Sequence, residues 1–155
     1  ELSKQNYNVL ILSCGPNEIS NIDTSFNSAG NMEQWKRKAR LSSEKMVNLA
    51  QWCLENHPSL KSIVIVKRPP RYDNEIKAKL SQYANNCLDE ILQSKGSSQN
   101  IYISSQDLEC EGALRAKRYG SPSYYNYDGV HMRGELAVQH MTIEIMTLLK
   151  SIPYL

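Results

Sequence analysis

The chain has 155 residues, 41% of them hydrophobic and 22% charged, which suits a single globular domain spanning 1–155 with a sizeable core rather than two domains. A formal net charge of +2 is too small to imply a nucleic-acid or membrane partner, because binding to phosphates regardless of sequence needs a concentrated basic surface. No stretch approaches the roughly 18 to 20 consecutive apolar residues of a membrane span.

The opening residues, Glu1-Leu2-Ser3-Lys4, have no signal-peptide pattern and no initiator Met, so the chain reads as an excerpt of a longer protein and leaves its compartment open. Four cysteines (Cys14, Cys53, Cys87 and Cys110) are widely spaced, with no Cys-x-x-Cys pair and no His at zinc-ligand intervals. No metal site and no cofactor motif is read. Cys53 and Cys87 fall on apolar helix faces, where a thiol behaves as a small hydrophobe, so reduced cysteines and an intracellular setting are favoured over disulfides.

The first apolar run, Val9-Leu10-Ile11-Leu12, reads as a strand. It is continuous rather than alternating, as in a parallel sheet buried on both faces. A helix follows from about Met32, with Met46, Leu49, Ala50, Cys53 and Leu54 on one face, and Asn56-His57-Pro58 stops it. Ile63-Val64-Ile65-Val66 is the second strand. Asn74 caps a second helix whose apolar face holds Ile76, Leu80, Tyr83, Ala84, Cys87, Leu88 and Ile91, and Gly96 ends it.

Ile101-Tyr102-Ile103 is the third strand. The stretch from Ser105 to Tyr127 is irregular, and a loop of that length in a compact domain is usually functional or mobile. After Gly134 a last helix carries Leu136, Val138, Met141, Ile145, Leu148 and Leu149, and Pro153 closes it. Strands alternating with helices build right-handed crossovers, so the expectation is an α/β fold: a three-layer α/β/α sandwich on a parallel sheet, with helices on both sides. Three strands are few for such a sheet, which points to a domain incomplete at its N-terminus.

Ligands of open α/β sheets bind beyond the carboxyl ends of the strands, which directs attention to three loops. In the third, Asp128 and His131 lie three apart in a Gly-containing turn ahead of a helix. Such a carboxylate can hold the imidazole Nδ1-H and leave Nε2 free as a general base. An Asp that merely caps the helix and a packed His give the same spacing. In the first loop, Gly15-Pro16-Asn17 follows the buried strand: Gly permits close backbone approach and Asn offers an N-H to a developing oxyanion, although Pro-Asn is also common turn chemistry.

Together, Val9-Leu10-Ile11-Leu12-Ser13-Cys14-Gly15-Pro16-Asn17-Glu18 and Tyr127-Asp128-Gly129-Val130-His131-Met132 resemble the third and fifth conserved blocks of SGNH (GDSL-like) hydrolases. In that family a strand ends in Gly-x-Asn-Asp, and an Asp-x-x-His turn precedes the final helix. Glu18 stands where the family has Asp. The order of elements between the blocks also fits, so the likeness covers about residues 8 to 150.

The resemblance implies a flavodoxin-like sandwich in which His131 is the base, Asp128 its partner, Asn17 an oxyanion-hole donor and Gly15 the residue that keeps that loop close to the substrate. It implies a small-molecule, glycan or lipid ester as substrate, cleaved through an acyl-serine intermediate, and leaves the oligomeric state open. The family nucleophile is a Ser in a Gly-Asp-Ser turn, and a Gly of the second block donates a backbone N-H. Neither block occurs in these residues, so the nucleophile lies upstream or has been lost.

Other residues could shape the substrate edge: Arg68 and Arg71 on the loop after the second strand, and Tyr127 on the long loop. A solvated loop stiffened by Pro69 and Pro70 explains the two arginines equally well. Lys36, Arg37, Lys38 and Arg40 on the first helix, with Arg115, Lys117, Arg118 and the tyrosines at 119, 124, 125 and 127, support an alternative. It is a catalytically inactive SGNH-like module that binds nucleic acid or a protein. His57 and His140 are read as structural.

Overall fold

The structure, a computed structural model, describes residues 7–13, 19, 21–23, 29–68, 74–94, 100–104 and 134–152. In chain order these form β1 (Val9–Leu12), α1 (Ala29–Asn56), β2 (Ser62–Ile65), α2 (Glu75–Ser94), β3 (Ile101–Ile103) and α3 (Gly134–Ser151). The fold is mixed α/β, with the three strands in one parallel sheet of order β1-β2-β3.

β2 is the central strand, pairing Leu10 with Ile63 and Leu12 with Ile65 on one side. On the other side Ile63 pairs with Ile101 and Ile65 with Ile103. All four residues of β2 are buried, as its unbroken apolar run requires. The strand starts one residue earlier than its apolar run and leaves Val66 outside, because β1 ends at Leu12, opposite Ile65. Val66 still donates its N-H to the Leu12 carbonyl at 2.8 Å.

Side chains alternate across a strand, so Ile63 and Ile65 point to one face and Val64 to the other. Ile63 and Ile65 pack with Met46, Val47, Ala50 and Cys53 of α1 and with Cys87, Leu88 and Ile91 of α2. Leu10, Leu12, Ile101 and Ile103 complete that cluster from the neighbouring strands. Both crossover helices therefore share one face of the sheet. That is what two successive right-handed crossovers produce when the chain moves in one direction across a sheet. Among the described residues, the expectation of helices on both sides then rests on α3.

The inward arc of α1 runs through Trp35, Ala39, Ser42, Ser43, Met46, Val47, Ala50 and Cys53, all buried. Periodicity placed Leu49 on that face, but Leu49 is 44% exposed and Val47 fully buried. The reason is that α1 meets two surfaces, the sheet and α2, and this broadens the arc toward Val47 and leaves Leu49 beyond its rim. A second cluster joins Trp35 and Ala39 to Leu80 and Ala84 of α2, with Ile19 and Ile22 from the segment before α1.

The helix ends follow their sequence signals. Asn74 accepts the Lys77 N-H at 3.0 Å, the bond of an N-cap. At the other end of α1, Asn56 donates its side-chain N-H to the Trp52 carbonyl at 2.8 Å, and the next residues, His57 and Pro58, lie outside the helix. Cys53 and Cys87 are free and buried. Among the described residues no helix is long and apolar enough to cross a membrane.

Candidate functional site

The parallel register brings the carboxyl ends of all three strands to one edge, and the chain leaving β2 is fixed there from three directions. Ser104, just past β3, donates its N-H to the Ile65 carbonyl at 3.0 Å, and its hydroxyl accepts the Lys67 N-H at 3.2 Å. From α2, Asn85 accepts the Arg68 N-H and donates back to the Arg68 carbonyl, both at 2.9 Å. The Lys67 ammonium meets Asp89, also on α2, at 2.9 Å. Backbone groups where the strand has ended are thus paired by side chains, as buried N-H and C=O groups require.

The third direction is α1. Arg68 is only 1% exposed, and its guanidinium turns inward. Nη2 donates to Ser42 Oγ at 2.6 Å and contacts Met46 Sδ at 3.3 Å, while Nη1 reaches Ser43 Oγ at 3.4 Å. Ser43 in turn donates its one hydroxyl proton chiefly to the Ala84 carbonyl of α2 at 2.7 Å, with the Ala39 carbonyl farther away at 3.3 Å. One arginine and one serine therefore join β2, α1 and α2 beneath the carboxyl edge.

Of the residues expected at the site, Arg68 is the one among the described residues, and its charged end is placed inside the fold. Gly15, Asn17, Arg71, Tyr127, Asp128 and His131 lie outside the described residues, as do Cys14 and Cys110. The strands nevertheless fix where two of the loops depart. Leu12 and Ile65 are partners across the ladder, so the segment holding Gly15 and Asn17 and the segment holding Arg71 leave from adjacent points. Asp128 and His131 precede the first residue of α3 by a few positions.

Asn85, Ser42, Ser43 and Ser104 were not singled out from the sequence. A faint signal existed for the serines of α1: two small polar residues interrupt the inward stripe between Ala39 and Met46, a notch that an apolar partner would not use. Asn85 carried no such mark, because its role is to bond the backbone of a residue 17 positions away.

Two of the four cations in the basic run on α1 are paired with acids. Lys36 pairs with Glu33 at 3.1 Å and lies 5.8 Å from the centre of the Tyr83 ring. Arg40 contacts Glu44 at 3.4 Å and Glu90 of α2 at 3.2 Å. Its ionised form is favoured first by the nearby Cys87 and then by its hydrogen bond to Glu90. Arg37 and Lys38 face solvent. His57 is half-buried after α1, its ring edge-on to Trp52 with 5.9 Å between centroids. No group of three or more His, Cys, Asp or Glu side chains converges to hold a metal among the described residues.

Comparison with family models, with curated proteins and with solved structures returns no match to this chain.

Proposed function

We propose that this chain is the C-terminal part of an SGNH-type serine ester hydrolase built as a three-layer α/β/α sandwich. In this reading His131 is the general base, Asp128 holds its tautomer, and Asn17 with Gly15 lines the oxyanion hole. The nucleophilic Ser is supplied by sequence upstream of Glu1. It attacks the ester carbonyl as its proton passes to His131, the alcohol leaves with that proton, and water then releases the acid from the acyl-serine.

The observation that supports this reading most is the parallel pairing of β1 with β2, in register at Leu12 and Ile65. It starts the Gly-x-Asn segment from the carboxyl edge, where α/β enzymes assemble their sites. The network around Arg68 braces that edge, as a site needing sub-ångström placement of its groups demands. The ion pairs of Lys36 with Glu33 and of Arg40 with Glu44 and Glu90 engage two of the seven cations on which the alternative of a nucleic-acid module rests.

Labelling of the full-length protein with a fluorophosphonate tests the proposal. The expected result is modification of one upstream Ser, with the labelling rate falling by about 10³ to 10⁴ in His131→Ala. Absence of labelling together with salt-sensitive RNA binding would overturn it in favour of the binding module.

A further inference from the structure

The opposite, amino end of the sheet carries a second feature, independent of the carboxyl-edge reading. Among the described residues, Tyr7, Val9, Leu10, His57, Ser59 and Leu60 line a half-open pocket of about 240 Å³. Its walls are the start of β1 and the turn that leads from α1 into β2. That turn is itself held: Leu60 donates its N-H to the His57 carbonyl at 2.9 Å, and Lys61 and Ser62 both donate to the Asn8 carbonyl, at 2.7 and 3.1 Å. The pocket is therefore framed by hydrogen-bonded backbone, which favours a preformed shape.

Most of its lining is apolar, and an apolar cavity of about 150 Å³ is already large enough to take up benzene. The volume here suits one further fused ring. Polar groups are carried by Tyr7, His57 and Ser59, and of these His57 and Ser59 are neighbours on the turn between α1 and β2. Trp52, 54% exposed, stands against the His57 ring at an interplanar angle of 81°. A mostly apolar lining with a few polar groups is how small-molecule sites are made.

We propose that this pocket binds a compact planar aromatic of one or two fused rings bearing a single hydrogen-bonding group, with its rings against Val9, Leu10 and Leu60 and its polar group toward His57 and Ser59. The site lies a strand length from the carboxyl edge, roughly 13 Å for four residues, so it is separate from the Arg68 junction there.

Titration of the protein with indole, followed by amide chemical shifts, tests the assignment. Saturable shifts confined to residues 7–10 and 57–61 are expected, with a Kd on the order of 1 mM or tighter, as befits nine heavy atoms. His57→Leu, which keeps apolar volume, should weaken binding about tenfold, the value of one hydrogen bond. Ser59→Trp, which fills the mouth from a turn outside any strand, should abolish it. Shifts that stay linear up to the solubility limit, or that scatter over the surface, would overturn the proposal, as would undiminished binding by a folded Ser59→Trp protein.

Discussion

Arg68 Nη2 lies 2.6 Å from Ser42 Oγ, inside the protein, so the residue that follows the central strand is tied by its charged end to the longest helix. A buried guanidinium is tolerated only where hydrogen bonds replace its hydration. Here the replacements include two hydroxyls and a thioether, supplied by successive turns of α1.

Truncating this side chain should therefore be costly. Arg68→Ala leaves a cavity and strips the Ser42 and Ser43 hydroxyls of a donor, and a loss of about 3 to 5 kcal/mol is expected from urea unfolding. Arg68→Met keeps the volume without a charge to desolvate, and should recover at least half of that loss. Equal destabilisation by both would show that the guanidinium's hydrogen bonds, rather than its bulk, hold the junction.

Asn85 acts on the same residue through its backbone. Removing its amide in Asn85→Ala unpairs the Arg68 N-H and C=O together, at a cost of about 2 kcal/mol or more. Asn85→Asp keeps an acceptor for the N-H and loses the donor to the carbonyl. Hydrogen exchange at the Arg68 amide should accelerate strongly in the first variant and weakly in the second.

At the start of α2, Asn74→Ala removes the cap on the Lys77 N-H and should cost about 1 kcal/mol. Asn74→Ser should be nearly neutral, since a hydroxyl accepts the same bond. Thermal unfolding of the two variants separates loss of the cap from a general effect of substitution.

Alkaline pH should weaken the fold. Burial pushes the Cys53 thiol above its ordinary range, and Tyr83 is raised by its hydrogen bond to Cys87 and then by burial, against the pull of Arg40. Both groups keep their proton more tightly in the folded state. Their contribution is thus fully present below the unfolded thiol's pKa of about 8.5 and is lost as pH rises through the raised folded values. Urea midpoints measured from pH 7 to 10.5 should fall, and Cys53→Ala should flatten the early part of that fall; an unchanged slope would mean that the thiol does not carry it.

The strands and helices were legible because their signals are local. Short apolar runs, four residues in β1 and three in β3, gave those strands their limits, and period 3.6 gave the buried face of α2 from Leu80 to Ile91. The misplacement of Leu49 and Val47 has the opposite origin: which side of α1 is wettest depends on where α2 docks, and no window of α1 contains that information. Arg68 shows the same limit for chemistry. Beside two prolines and before Arg71 it reads as a solvent-facing cation, and only the serine notch on a helix some 25 positions earlier explains why it folds inward. Gly15, Asn17, Asp128 and His131 were readable as a motif, through a family likeness rather than through any pattern that burial or periodicity imposes.

Val64 is fully buried, yet it points away from the face that α1 and α2 occupy. The two helices, however well they lock together, therefore finish only half of the central strand's desolvation. A minimal fragment comprising just the two crossovers would retain the Arg68 junction and still show water an oily plane centred on Val64, so it should self-associate instead of remaining monomeric.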